Sequence, residues 1–97
     1  MSAATVAVRV PGALRSLTAG QPLVQLDVED GVTVADLLDL LAAAHPALEP
    51  RVRDEQGRLR AHVNVFVGAD NIRDLDGVAT RVACGAEVTI LPAVSGG

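Results

Sequence analysis

Ninety-seven residues make one domain, and 49% hydrophobic residues are enough to fill its core, although a chain this short buries only part of its surface. A formal net charge of -4 with a single aromatic residue argues against nucleic acid, whose binders carry basic stripes and stacking rings, and favours a basic protein partner. One cysteine, Cys84, leaves no internal disulfide and fits a reducing compartment; with no secretory leader pattern and no apolar run near the roughly 20 residues of a membrane span, a cytoplasmic protein without membrane contact is expected.

The stretch "TVAVRV" alternates strictly. Val6, Val8 and Val10 share one face, so a half-buried strand is predicted. Pro11 and Gly12 end it. The connection "PGALRSLTAGQP" is punctuated by Pro and Gly and reads as a long, somewhat mobile loop. "LVQLDVED" alternates again, with Val24, Leu26 and Val28 inward, and pairs with the first strand as a hairpin.

After Gly31 the period changes. Val34, Leu37, Leu38, Leu41 and Ala42 recur at helical spacing. Thr33 is a natural N-cap with Asp36 three residues on, a capping-box pattern with Asp in place of Glu. Pro46 stops the helix near His45. The polar stretch "ALEPRVRDEQGRLR" predicts a short helical turn at Leu48 to Arg53 and a turn at Asp54 to Gly57. "AHVNVFVGAD" is a third strand, with Val63, Val65 and Val67 on one face and His62, Asn64 and Phe66 on the other. "IRDLDGVATRVACGAE" carries apolar marks at Ile72, Leu75, Val78 and Val82, and reads as a short strand or irregular segment. "EVTILP" is the last strand, with Val88 and Ile90 inward and Leu91 outward.

This order predicts an α+β fold: a mixed sheet of four to five strands with one main helix packed on one face. The first and last strands are the apolar, central pair, side by side and parallel. That is the β-grasp, or ubiquitin-like, arrangement. The domain spans residues 1–92, followed by a flexible tail, residues 93–97, that projects from a central strand.

The strand–helix order followed by "GAEVTILPAVSGG" resembles the MoaD/ThiS family of sulfur-carrier proteins. The longer stretch "VNVFVGADNIRDLDGVATRVACGAEVTILPAVSGG" looks most like the CysO branch of that family, associated with cysteine biosynthesis. The resemblance implies that an E1-like adenylyltransferase/sulfurtransferase uses ATP to adenylate the carboxylate of Gly97. A sulfur donor then converts the acyl-adenylate to a thiocarboxylate. The carrier delivers that sulfur to a sulfur-accepting synthase, either a cysteine-synthase-like enzyme or one of a secondary-metabolite pathway. Other branches serve molybdopterin or thiamin synthesis. The protein is then a co-substrate and not an enzyme; it has no catalytic residue, binds no cofactor and holds no metal.

The tail's chemistry fits this reading independently. Gly96 and Gly97 lack a Cβ, so the end threads a narrow cleft and its carbonyl carbon meets an incoming nucleophile with little bulk. Pro92 stiffens the base of the tail, and Val94 and Ser95 complete the segment that a partner reads. Phe66 and Leu91, both on the face away from the helix, form a candidate docking patch near the tail's root.

Other marked residues read as ordinary structure. Cys84 is a small turn residue before the last strand, with nothing beside it in sequence to lower its pKa. His45 and His62 have no metal-ligand spacing, and Asp74 and Asp76 read as a solvated loop. Two other functions compete. One is a ubiquitin-like modifier whose Gly97 forms isopeptides with target lysines; the chain itself has no lysine, all eight basic residues being Arg. The other is a plain interaction module with an inert tail.

Overall fold

A computed structural model describes residues 4–92. The predicted tail, residues 93–97, lies outside them, and with it Val94, Ser95, Gly96 and Gly97.

The chain forms β1 (Ala4–Arg9), β2 (Leu23–Val28), α1 (Val34–Ala44), a one-turn α2 (Glu49–Val52), β3 (Val63–Val67), a two-residue β4 (Asp70–Asn71) and β5 (Glu87–Pro92). The sheet order is β2-β1-β5-β3-β4. β1 and β5 are central and parallel, with Val8 opposite Val88. β1 pairs antiparallel with β2, and β5 antiparallel with β3. This is the predicted arrangement, with β4 as the short fifth strand.

Alternation in the strands does the sorting. Val6, Val8, Val24, Leu26, Val63, Val65, Val88 and Ile90 all point to one face and are buried. Leu37, Leu38 and Leu41 of α1 cover that face. Each such leucine, fully buried, stabilises the fold by about 1.5–3 kcal/mol of apolar transfer. Thr33 caps α1 by a complete capping box: the Asp36 amide donates to Thr33 Oγ1 at 3.2 Å, and the Thr33 amide donates to Asp36 Oδ2 at 3.0 Å. His45 is the C-cap, immediately before Pro46.

Two expectations need correction. The connection after β1 is not a bare loop. Residues Gly12–Thr18 wind as a 3-10 helix that buries Leu14 and Thr18. The Thr18 hydroxyl lies within hydrogen-bond distance of the carbonyls of Arg15 and Gln21, which permits a polar residue at a fully buried position. Of the apolar marks after β4, Ile72 and Val82 are buried, whereas Leu75 is 47% exposed. His62 lies in an exposed turn just before β3, not on a strand face.

The segment leading into β5 is pinned to the start of α1. The amide of Val34 donates to the Thr80 carbonyl at 3.0 Å, and that of Val82 to the Val32 carbonyl at 2.8 Å. Gly31 adopts φ +84°, and a Cβ there would meet the Arg81 guanidinium at 3.0 Å, so both conformation and space favour glycine.

Candidate functional site

The site is the end of β5 and what surrounds it. β5 pairs with β1 through Thr89 but with β3 through Pro92. Ile90, Leu91 and Pro92 therefore lie beyond the last residue of β1 that pairs with β5. The chain leaves the sheet along a strand still held on one side, so the direction of departure is fixed while its other edge is free of the ladder. Ile90 is fully buried and anchors this exit, whereas Leu91 is 42% exposed.

On the sheet face away from α1, Phe66 lies opposite Thr89 and Leu91 opposite Asn64. Phe66 and Leu91 are thus diagonal neighbours on one face, a separation that aromatic and long side chains can bridge. Phe66 is half-buried, not a free aromatic. Phe66 and Leu91 thus share one face near the end of β5.

Charged groups frame it. Arg9 donates to Glu87 at 2.8 Å. The hydrogen bond and the charge of Glu87 raise the Arg9 pKa, and the same bond holds the Glu87 carboxyl below its ordinary value. Arg73 reaches from the turn after β4. Its Nη2 donates to the carbonyls of Val63 (2.7 Å), Ala61 (3.2 Å) and Arg60 (3.3 Å), and its Nε to Asn64 Oδ1 (3.3 Å). Val63 is the partner of Pro92, so Arg73 clamps the strand on which the end of β5 rests.

A cleft of about 270 Å³ opens beside Pro92, lined by Leu14, Pro50, Arg51, Arg60 and His62 as well. A larger hollow of about 580 Å³ is lined by Asp27, Glu29, Asp30, Asp36 and Asp39, with Leu40 among them. The register puts the two at opposite ends of the sheet. β2 ends opposite Ala4, where β1 begins, whereas β5 ends beyond Arg9, where β1 finishes. The acidic hollow thus lies at the end of the sheet away from the cleft beside Pro92.

Cys84 sits in the turn before β5 and is exposed. Its thiol donates to Asp30 at 3.5 Å. Partial desolvation, then the hydrogen bond and charge of Asp30, push its pKa up. A raised pKa means less thiolate and a poorer nucleophile, which supports the reading of Cys84 as a turn residue. Asp74 and Asp76 are exposed, as expected of a solvated loop.

Arg51, Arg60 and Arg73 were not singled out in the sequence. They stand in the polar stretches after α1 and after β3, where arginines look like ordinary solvated charges. Only pairing of β3 with β5 brings them to the tail's root.

A five-strand mixed sheet with parallel central strands and one covering helix defines a β-grasp protein of the ubiquitin-like class. The chain belongs to the ThiS family, whose model matches residues 8–97. The sulfur carrier protein CysO of Mycobacterium tuberculosis is 37% identical over 94 residues, covering 95% of this chain and 98% of that protein. Small archaeal modifier protein 1 of Haloferax volcanii is 40% identical over 79 residues, covering 81% of this chain and 86% of that protein. Among solved structures, the Amycolatopsis orientalis BexX/CysO complex contains a chain that superposes with a TM-score of 0.82 at 34% identity, covering 95% of this chain and 99% of that one. The relatives are thus small sulfur carriers and ubiquitin-like modifiers. Among the described residues no helix is long and apolar enough to cross a membrane.

Proposed function

We propose that this chain is a sulfur carrier whose Gly97 carboxylate is the reacting group. An oxygen of that carboxylate attacks the α-phosphorus of ATP on an E1-like enzyme, and pyrophosphate leaves. Sulfide then attacks the acyl carbon and AMP leaves, so that a thiocarboxylate remains on Gly97. The sulfur passes to a synthase of cysteine biosynthesis or of a secondary-metabolite pathway. The carrier contributes no catalytic group, uses ATP only through its activating enzyme, and works in the cytoplasm.

Membership of the ThiS family, with a match that runs to Gly97, carries this reading. The end of β5 supports it: six residues of strand run from Glu87 to Pro92, and five residues follow. At roughly 3.3–3.6 Å per residue those five span at most about 18 Å, enough to enter a buried active site while the domain stays outside. Phe66 and Leu91 form the docking contact, and Pro92, Val94, Ser95 and Gly96 are read in the partner's cleft.

A second reading, a protein modifier that forms isopeptides through Gly97, is favoured by the 40% identity to a small archaeal modifier protein. Intact mass after incubation with an E1-like enzyme, ATP and a sulfide source separates the two. Replacement of one oxygen by sulfur supports the carrier. A new conjugate to a lysine-bearing protein supports the modifier, and an unchanged mass rejects both.

A further inference from the structure

We infer that the cleft beside Pro92 is a docking site for carboxylates of an acidic protein partner, through Arg51, Arg60 and His62. The inference deepens the carrier reading and rests on it for the partner's identity: the partner is the enzyme that admits the tail, and its acidic groups lie at the mouth of the channel.

Four of the chain's eight arginines gather at this end of the sheet. Arg51 is exposed and Arg60 half-buried, and both line the cleft with His62. Arg60 is held by its Nε, which donates to the Pro50 carbonyl at 2.7 Å. Arg15 is fixed through Nε to the Val10 carbonyl at 3.1 Å, just past the end of β1. Arg73 is fixed on the carbonyls that enter β3. Three of the four guanidiniums are thus tethered to backbone carbonyls and cost less ordering when a partner arrives. None of the four forms a salt bridge among the described residues, where the ion pairs are Arg9–Glu87, Arg53–Asp39, Arg53–Glu49 and Arg58–Asp54.

Nearby carboxylates do not cancel this charge. Arg60 also borders a hollow lined by Glu49, Asp54 and Glu55. Glu49 is engaged by Arg53 at 2.8 Å, and Asp54 accepts from the amides of Gln56 and Arg58 at 2.9 and 3.0 Å. Those bonds hold the Asp54 carboxyl below its ordinary value. Asp54 stays ionised but lies 3.8 Å from Arg58, so Glu55 is the one carboxylate of this hollow without an arginine partner among the described residues. At the far end of the sheet the acidic hollow has the opposite sign. The molecule therefore presents a dipole with its positive pole around the end of β5, which orients an approaching acidic surface and raises the association rate. The apolar walls, Leu14, Pro50 and Pro92, lower the local dielectric and make each such contact stronger than in open water.

Hexaglutamate is a probe that needs no enzyme. In an NMR titration of the whole chain at low salt, amide shifts should concentrate at residues 14–16, 51 and 60–62 and be absent from residues 27–39. Arg51→Glu should weaken binding at least fivefold, and so should raising the salt to a Debye length of about 3 Å. Arg81→Glu makes the same charge change near the acidic hollow and should leave binding nearly unchanged. Shifts spread evenly over the surface, no shifts at all, or equal losses for the two variants would overturn the inference. With the E1-like enzyme, Arg51→Glu should slow association about three- to tenfold with kcat unchanged, and Arg81→Glu should not. An unaltered association rate for Arg51→Glu would also overturn it. If the enzyme does not accept the wild-type chain at all, the carrier reading fails, and the hexaglutamate titration still decides the cleft.

Discussion

The two faces of the sheet are built from alternate residues of the same strands, yet they obey different rules. In β5, Val88 and Ile90 face α1 and are buried, whereas Thr89 and Leu91 face outward. In β3, Val63 and Val65 face α1, whereas Asn64 and Phe66 do not. The covered face is largely branched aliphatic, with Leu37, Leu38 and Leu41 filling in from the helix. The open face is mixed, with the Arg9–Glu87 ion pair, amides, threonines and large apolar side chains. The covered face answers to packing density, where a missing methylene leaves a void. The mixed face carries no such packing constraint, so its residues can change without loss of the fold.

The sharpest way to break that division is through the core. Leu38→Ala should cost about 2–5 kcal/mol, as transfer and cavity costs add, and chemical denaturation measures it. A loss under about 1 kcal/mol would show that α1 is not the lid of the covered face. The helix's anchorage comes next. Thr33→Ala removes one half of the capping box and should cost about 0.5–2 kcal/mol by the same measurement.

The open face should behave in the opposite way. Leu91→Ser should leave stability within about 0.5 kcal/mol of wild type while it weakens binding to the activating or acceptor enzyme about tenfold, near 1.4 kcal/mol. A large drop in melting temperature would mean that Leu91 is core after all. Titration calorimetry with the partner supplies the other half of the test.

The smallest effect is one of pH. The backbone amide of Thr33, then its hydroxyl, hold the Asp36 carboxyl below its ordinary value. The folded pKa is thus below the unfolded one. The capping contribution is complete above the ordinary carboxylate value near 4 and is lost as pH falls through the lower folded value. Asp36→Asn should therefore flatten the decline of stability between about pH 4 and pH 2 relative to wild type. Glu87, held low first by its bond from Arg9, shifts in the same direction on the open face. Glu87→Gln should flatten the curve too, and a steeper acid decline in either variant would contradict these assignments.

Much of this was legible in the sequence because the signals are local. Period-two valines gave the faces of β1, β2, β3 and β5. The switch to helical spacing after Gly31 gave α1, and Thr33 with Asp36 gave its start. The parallel pairing of β1 with β5 followed from their apolar character and the order of elements. What was not legible depends on long-range contact. The 3-10 helix at Gly12–Thr18 has no strong periodicity; it forms because Leu14 and Thr18 find space under the sheet's end. Leu75 looks like Ile72 in sequence, but only the latter turns inward. The arginines around the tail are separated by up to 58 positions, from Arg15 to Arg73, and only strand pairing gathers them. The resemblance to the sulfur carriers came from the strand–helix order together with the stretch from Val63 to Gly97, where Glu87 and Val88 lead through Pro92 into the Gly-Gly terminus.

The most direct test of the central claim is a comparison of the wild-type chain with a variant lacking Gly97, each incubated with the E1-like enzyme, ATP and a sulfide source and read by intact mass. Deletion withdraws the carboxylate by about 3.3–3.6 Å, far beyond the placement error that such a reaction tolerates, and it touches nothing in the core. The expected result is an oxygen-for-sulfur exchange in the wild type, none in the variant, and the same melting temperature for both. Thiocarboxylation of the shortened chain at the normal rate would contradict the assignment of Gly97 as the reacting residue.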